Sequence, residues 1–455
     1  MSATLIEKSY TAEDIADIAK RQGLMQYPKL ALYRERLSRK ATNEKQYRFY
    51  CLYGQLLRMD VLKCAYEQVR ANKGSPGVDS LTFDDIEQSD GGVSGFLTSI
   101  QRELKEKKYR PMPVKRVYIE KANGKLRPLG IPTIKDRTVQ AAVKLVIEPI
   151  FESDFHDCSF GFRPNRNARQ AVKRIAANVR IGRTDVYDAD LSGYFDTIPH
   201  DKLVLALRKR ITDGSILGLI LSWLKSTIIE PNGTRTNPHG RGTPQGGVIS
   251  PLLSNVYLHW FETLAMAEAR RTRQDMVLVR YADDFVILSF KLKQDFIESI
   301  ERGLEGRFGL TINREKTKIF NMRETGEALN FLGFEFKFVK DRNYGRGDTY
   351  LTYGPSMKSV KKVCQKVKER TRNSMALISI EDTIRQLNKI LVGWENYFNC
   401  GYPSREFSRV NDYTQMRLYR FTRKKSQRGF RRRYAKSFYG EMKARGLHML
   451  KWKHS

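Results

Sequence analysis

Two acidic residues stand side by side, Asp283 and Asp284, between an apolar β-rich run from Met276 to Arg280 and another from Phe285 to Phe290. Burial of such flanks leaves the pair at the tip of a hairpin. Adjacent carboxylates repel, and a cation relieves the repulsion. Magnesium takes oxygen ligands and keeps waters and substrate phosphates in its shell, so a carboxylate pair on a turn suits phosphoryl transfer. A further acid must arrive from another element. Asp190 ends the strand candidate Asp185 to Leu191, and Asp188 shares its face by the two-residue strand period, so spacing leaves both open. A turn-capping role before Ser192-Gly193 would also account for Asp190.

Around these acids stand further blocks. They are Lys125-Leu126-Arg127-Pro128-Leu129-Gly130-Ile131-Pro132, Ser159-Phe160-Gly161-Phe162-Arg163-Pro164, and Asp190 to Asp196. Gly242-Thr243-Pro244-Gln245-Gly246-Gly247 follows with Ser250-Pro251, and Phe331-Leu332-Gly333-Phe334 closes the series. Together with Tyr281-Ala282-Asp283-Asp284, and in this order, they resemble reverse transcriptases. Gly74 to Asp79 and the segment Leu387 to Phe398 resemble the group II intron-encoded reverse transcriptase/maturases of bacterial type, which extends the likeness over residues 50–430.

The resemblance implies an α+β right-hand polymerase, with fingers and a palm on an antiparallel sheet, followed by an α-helical thumb/maturase domain. It implies that Asp190, Asp283 and Asp284 hold two Mg²⁺ ions, with the Leu191 carbonyl as a further ligand. Lys121 and Arg127 would clamp the triphosphate, for which a point charge and a bidentate fork are apt. Phe195 would be a steric gate under the sugar, favouring deoxynucleotides, although core packing also suits a Phe. Gln245 would contact the incoming nucleotide from a loop whose glycines permit close backbone approach. Lys316 matches a lysine near the triphosphate, with Lys318 a close rival. Arg163 and the tail residues Arg423, Lys424, Lys425, Arg428, Arg431, Arg432 and Arg433 are the expected nucleic-acid contacts. The implied partners are a group II intron RNA, a target DNA with its primer strand, and dNTPs. The chain ends at Ser455 without paired Cys ligands or a His-rich unit. An HNH endonuclease is therefore not expected, and mobility would need a primer from elsewhere, such as a nascent strand at a replication fork.

These residues need elements to carry them. Residues 1–50 read as a helical extension, 51–185 as an N-terminal extension and fingers, 186–350 as the palm, and 351–455 as the basic thumb/maturase region. Val114 to Ile119 and Leu126 to Ile131 read as two strands around Asn123-Gly124, a hairpin signal. Lys73 to Gly77 is a turn. Met357, Val360, Val363 and Val367 recur at helical spacing, as do Ile384, Leu387, Leu391, Trp394 and Phe398.

Lys and Arg total 82 against 50 acidic residues, a formal charge of +32. An excess of that size points to a polyanionic partner. Residues 401–455 hold 16 Lys/Arg and 3 Asp/Glu, and phosphate neutralisation drives binding by such segments. The five cysteines form no C-x-x-C pair, so neither a zinc knuckle nor a disulfide framework is indicated. Acidic residues in the first turns of the chain argue against a secretory signal, and no run approaches the ~20 apolar residues of a membrane span. The expected location is the cytoplasm. Two rivals to an active intron-encoded enzyme are a non-catalytic splicing chaperone and a domesticated reverse transcriptase in defence, repair or CRISPR adaptation. The intact acids oppose the first, and the maturase-like segment opposes the second.

Overall fold

The computed structural model describes residues 10–120, 124, 126–243, 246–340, 349–425, 430–431 and 433–452. Its centre is a four-stranded antiparallel sheet. β3 (Asp185–Ala189) lies between β7 (Asp284–Ser289) and β8 (Lys318–Asn321), and β6 (Val277–Tyr281) borders β7. Valine, isoleucine and aromatic residues fill these strands, as a pleated, half-buried surface favours. Strand alternation then sorts them between two faces. Tyr187, Leu278, Phe285 and Ile287 join one apolar cluster with the helices Ile134–Glu152, Ser250–Arg271 and Gln294–Arg302. Val186, Val279, Val286 and Leu288 join a second, shared with the helix Ala168–Arg180 and with Val360, Leu387 and Leu391 of the C-terminal helices.

The expected hairpin of residues 114–131 is present as β1 (Val114–Glu120) and β2 (Leu126–Ile131), paired from Lys115↔Ile131 to Glu120↔Leu126. It extends through β4 (Ile228–Ile229), parallel to β1, to β5 (Arg235–Thr236). Gly124 takes φ 76° in its turn, while Asn123 lies outside the described residues. A third sheet comprises β9 (Leu329–Phe331), β10 (Phe334–Lys340) and β11 (Thr349–Pro355). Leu332 and Gly333 connect β9 to β10 with φ of 51° and 81°, the pattern of a type I′ turn. A Cβ on Gly333 would lie 2.8 Å from the Ser359 hydroxyl, so the next helix packs directly on this turn.

That helix, Met357–Arg370, is capped by Ser356 and followed by Ile380–Phe398, Ser404–Lys425 and Phe438–Ala444. The apolar stripes read from the sequence face inward except at Met357, which is exposed, with Val360, Val363, Val367, Ile384, Leu387, Leu391 and Phe398 buried. The basic tail folds back on one buried acid. Glu441 accepts the backbone N–H groups of Arg433, Tyr434 and Ala435 at 3.0, 2.7 and 3.0 Å, and Nε of Arg445 at 2.9 Å. Burial pushes its pKa up, but the Tyr434 and Arg433 N–H groups, then Arg445 and Ala435, outweigh burial and hold it at about 2. A carboxyl depressed in the folded state stabilises the fold above its unfolded value of about 4.3 and loses that contribution as pH falls toward the folded value. Glu441→Gln is therefore expected to lower thermal stability at neutral pH and to converge with the parent near pH 2, as a melting series against pH will measure.

At the other end, the helices Ala12–Arg21, opened by a Thr11/Asp14 capping box, and Pro28–Asn43 pack as a pair, the second lying against Ile134–Glu152. Among the described residues, no helix is long and apolar enough to cross a membrane.

Candidate active site

The hairpin β6–β7 turns through two residues, Ala282 and Asp283, with Tyr281 opposite Asp284. Ala282 has φ 58°, and Asp283 is absent from the positive-φ residues. A left-handed first residue alone defines a type II′ turn, whose twist matches that of the strands. Ala189 pairs with Phe285, and one step further along this register Asp190 faces Asp284. Alternation places Asp188, Asp190 and Asp284 on one face, and Asp283 projects from the turn beside them.

These acids feel one another. Burial, then the charges of Asp284 and Asp190, push Asp188 up to about 7. Burial, then Asp283 and Asp190, push Asp284 up to about 6 against the pull of Lys316. Burial also raises Asp283, opposed by its own backbone N–H and by Arg127. Crowded carboxylates held this way form an oxygen donor set with excess negative charge, the composition that hard divalent cations bind. The donor set fits magnesium. Both acids left open by the strand period are thus gathered, with Asp190 at the mouth beside Asp284 and Asp188 two pairs deeper, opposite Val286.

The Leu191 carbonyl is positioned by its neighbours. Asn313 N–H donates to the Asp190 carbonyl and Ser192 N–H to the Thr311 carbonyl, both at 2.8 Å, around the bridge Leu191↔Ile312. Bonds flanking a bridge leave the bridged residue's own carbonyl pointing away from its partner. Lys316 Nζ lies 3.0 Å from Asp190. Its rival Lys318 pairs with Glu327 at 3.6 Å, so Lys316 is the lysine brought to the mouth. Arg127 is exposed on β2, with its charge acting on Asp283.

Phe195 is buried in the short helix Tyr194–Thr197, with ring centroids 6.5 Å from Phe162 and 5.4 Å from Tyr194. Lys121 and Gln245 lie outside the described residues. The loop that carries Gln245 does show why glycine is required there: Gly246 has φ 120°, and a Cβ on it would stand 2.3 Å from the Gly130 carbonyl of β2.

Two expected nucleic-acid contacts require correction. Arg163 is buried, with its side chain 2.7 Å from Glu152 and bonded to the carbonyls of His156 and Ser159 at 2.6 and 2.9 Å. A guanidinium so engaged braces the Ser159–Pro164 loop and is withheld from phosphate. The exposed residues of that loop are Phe162, at φ 58°, and Pro164. Lys425 turns back to donate to the Ile378 carbonyl. Arg423, Lys424, Arg431 and Arg433 are exposed, while Arg428 and Arg432 lie outside the described residues. A groove of about 690 Å³ between the helices Met357–Arg370 and Ile380–Phe398 adds Lys362, Lys366, Lys389, Trp394 and Tyr397, residues not anticipated as contacts. It combines cations with aromatic faces, as polynucleotide binding uses.

Sequence reading also missed the buried support of the turn. Arg280, fully buried, is ion-paired with Glu262 and bonded to Asn255, Ser159 and the Ala282 carbonyl. The available sign was a charge inside the apolar run Val277-Leu278-Val279, since buried charges are paired. His156, His259 and Glu262 place one ligand atom each within 4.8 Å of one another. Burial, then the charges of His156, Arg280 and Arg163, push His259 down to about 3. That positive bias, with Glu262 already engaged by Arg280, opposes a further cation there.

An antiparallel palm sheet with acids converging at a β-hairpin, beneath a basic two-stranded hairpin, defines a nucleotidyl-transferring polymerase. Residues 119–336 match the reverse transcriptase (RNA-dependent DNA polymerase) family, and residues 360–440 match the group II intron, maturase-specific domain. Protein YkfC of Escherichia coli K12 is 37% identical over 299 residues, covering 58% of this chain and 76% of that protein. Group II intron-encoded protein LtrA of Lactococcus lactis is 29% identical over 415 residues, covering 77% of this chain and 65% of LtrA. A 91 kDa protein in the cob intron of Schizosaccharomyces pombe is 27% identical over 76% of this chain and 50% of its own length. The chain belongs to the reverse transcriptases, in the branch that carries a group II intron maturase-specific domain. Membership implies metal-dependent nucleotidyl transfer and binding of intron RNA.

Proposed function

We propose that this chain copies a group II intron RNA into DNA and binds the same RNA as a splicing maturase, in the service of retrohoming. The observation that supports this reading is the strand register that sets Asp190 next to Asp284 and the Asp283 turn, with Lys316 3.0 Å from Asp190 and the charge of Arg127 acting on Asp283. Asp190, Asp283, Asp284 and the Leu191 carbonyl would hold two Mg²⁺ ions. When bound, these lower the pKa of a primer 3′-hydroxyl and neutralise charge on the leaving pyrophosphate. The protein's own part is positioning and electrostatics. Arg127 on the fingers and Lys316 on the palm would bind the triphosphate from two sides, with Lys121 and Gln245 completing the pocket. Phe195 would lie under the sugar and exclude a 2′-hydroxyl. The primer, target DNA and dNTPs are the remaining partners.

Primer extension on an RNA template, with the co-purified RNA sequenced from the same preparation, tests the reading. DNA products and enrichment of one structured intron RNA are expected; extension without such RNA favours the domesticated alternative. For the RNA surface, Arg423→Ala, Lys424→Ala and Arg431→Ala are each expected to lower the slope of log affinity against log salt by about 1. Filter binding of the intron RNA across a salt series measures this, and Arg163→Lys should leave that slope unchanged.

A further inference from the structure

Two-residue hairpin turns come in two forms related by a peptide flip. Types I′ and II′ share a left-handed first residue and differ in the peptide between the two central residues, which is flipped between them. In the β6–β7 turn that peptide joins Ala282 to Asp283. Its flip would carry Asp283 from negative to positive φ, swing its carboxylate, and replace the supporting Asp283 N–H with a carbonyl. The two-residue loop does not itself favour the observed state, since a type II′ turn wants glycine at its first central position, where Ala282 stands.

The choice is made from outside the loop. Arg280 Nη1 donates to the Ala282 carbonyl at 2.8 Å, fixing the very peptide that would flip. The same nitrogen donates to Asn255 Oδ1 at 2.9 Å, Nη2 donates to Ser159 Oγ at 2.6 Å, and Nε is paired with Glu262. Asn255 in turn donates to the Gly161 carbonyl at 2.9 Å. Backbone bonds clamp the same region, with Arg280 N–H on the Cys158 carbonyl and Phe160 N–H on the Arg280 carbonyl. Gly161 packs so closely that a Cβ there would lie 2.3 Å from the Ala282 nitrogen. Arg280, Asn255, Glu262 and Ser159 are all buried, so water does not compete for the Ala282 carbonyl. A planar guanidinium presents its donors in a fixed fork, which an ammonium cannot reproduce.

We propose that Arg280 is a positioning residue that locks the Ala282–Asp283 peptide in the state aiming Asp283 at the metal site. The proposal rests on the polymerase reading. It does not touch substrate, and its effect runs through Asp283. Loss of the lock lets the turn sample the flipped state, so the productive fraction falls, and with it kcat. A divalent cation with higher affinity for the productive state would restore that state at higher concentration.

The test compares Arg280→Lys, Ser159→Ala and a core control, Ile220→Val, by steady-state primer extension over a Mg²⁺ series and, without primer or nucleotide, by the rise in melting temperature that added Mg²⁺ gives each protein, which the two turn variants should show only at higher Mg²⁺. Arg280→Lys is expected to lower kcat by roughly a hundredfold, the scale of an ångström-level misplacement. Its KM for dNTP should stay within about twofold, and its half-saturating Mg²⁺ should rise. Ser159→Ala removes one anchor of the fork and is expected to move kcat and Mg²⁺ demand the same way by a smaller factor, which keeps the test open if Arg280→Lys does not fold. Ile220→Val should lose stability without moving either. Arg280→Lys or Ser159→Ala with parental Mg²⁺ dependence and kcat would overturn the proposal, as would a kcat loss in Ile220→Val that matches theirs. A parent protein without extension activity would instead sink the polymerase reading.

Discussion

Asp283→Asn is expected to abolish DNA synthesis while leaving RNA binding and folding intact. Asparagine keeps the size of the side chain and loses the charge that binds a divalent cation. Metal stabilisation of the transition state amounts to several kcal/mol, so a loss on the order of 10³-fold or more in single-turnover primer extension is expected. The part-exposed acids repel one another without metal, and desolvation raises Asp283 from its ordinary value. Removing one charge should therefore leave the metal-free melting temperature unchanged or higher, and should shrink the stabilisation that added Mg²⁺ gives the parent. A variant that polymerises normally refutes the assignment; one that melts far below the parent without metal refutes the picture of mutual repulsion. RNA binding, proposed above for the helical region, should be retained in a filter assay.

The second large effect concerns sugar choice. Phe195→Val is expected to raise ribonucleotide incorporation relative to deoxyribonucleotide by roughly tenfold to a hundredfold, the factor that corresponds to relieving an overpacked contact of ~1–3 kcal/mol. Valine is preferable to alanine because Phe195 is 8% exposed and packs edge-on to Phe162 and Tyr194. Truncation to alanine in such surroundings costs about 3–5 kcal/mol and would confound activity with folding. Competition between labelled ATP and dATP on one template position reads the ratio directly. Unchanged selectivity would leave Phe195 as core alone.

Much of this architecture is legible in the chain because it follows period and turn chemistry. The alternation through Val186-Tyr187-Asp188-Ala189-Asp190 and the apolar flanks of Asp283-Asp284 suffice to bring those acids to one sheet. The helical stripes from Met357 and Ile384 are equally direct, since one face of each must be buried. What periodicity does not encode is where a long polar side chain ends. Arg163 sits in a basic chain beside exposed neighbours, and only the fold reveals Glu152 beneath it. Lys425 continues a basic run yet reaches back to the Ile378 carbonyl. The same blindness hides Arg280, whose partners come from positions 159, 255 and 262, far apart in the chain. The choice between Lys316 and Lys318 likewise depends on β8 register, which puts Lys318 opposite Asp188 and into a pair with Glu327.

The apolar cluster shared by Val186, Val286 and Leu288 with Leu387 and Leu391 has a further consequence. The strand face that ends in Asp190 and Asp284 is the very floor on which the C-terminal helices rest. A transcript gripped by those helices and a nucleotide poised at the acids thus lean on one piece of packed hydrocarbon. Interiors this dense pass strain along and do not absorb it. Whatever factor the gripped transcript applies to nucleotide affinity, the nucleotide must return to the transcript, so splicing and copying would compete or cooperate through the same few side chains.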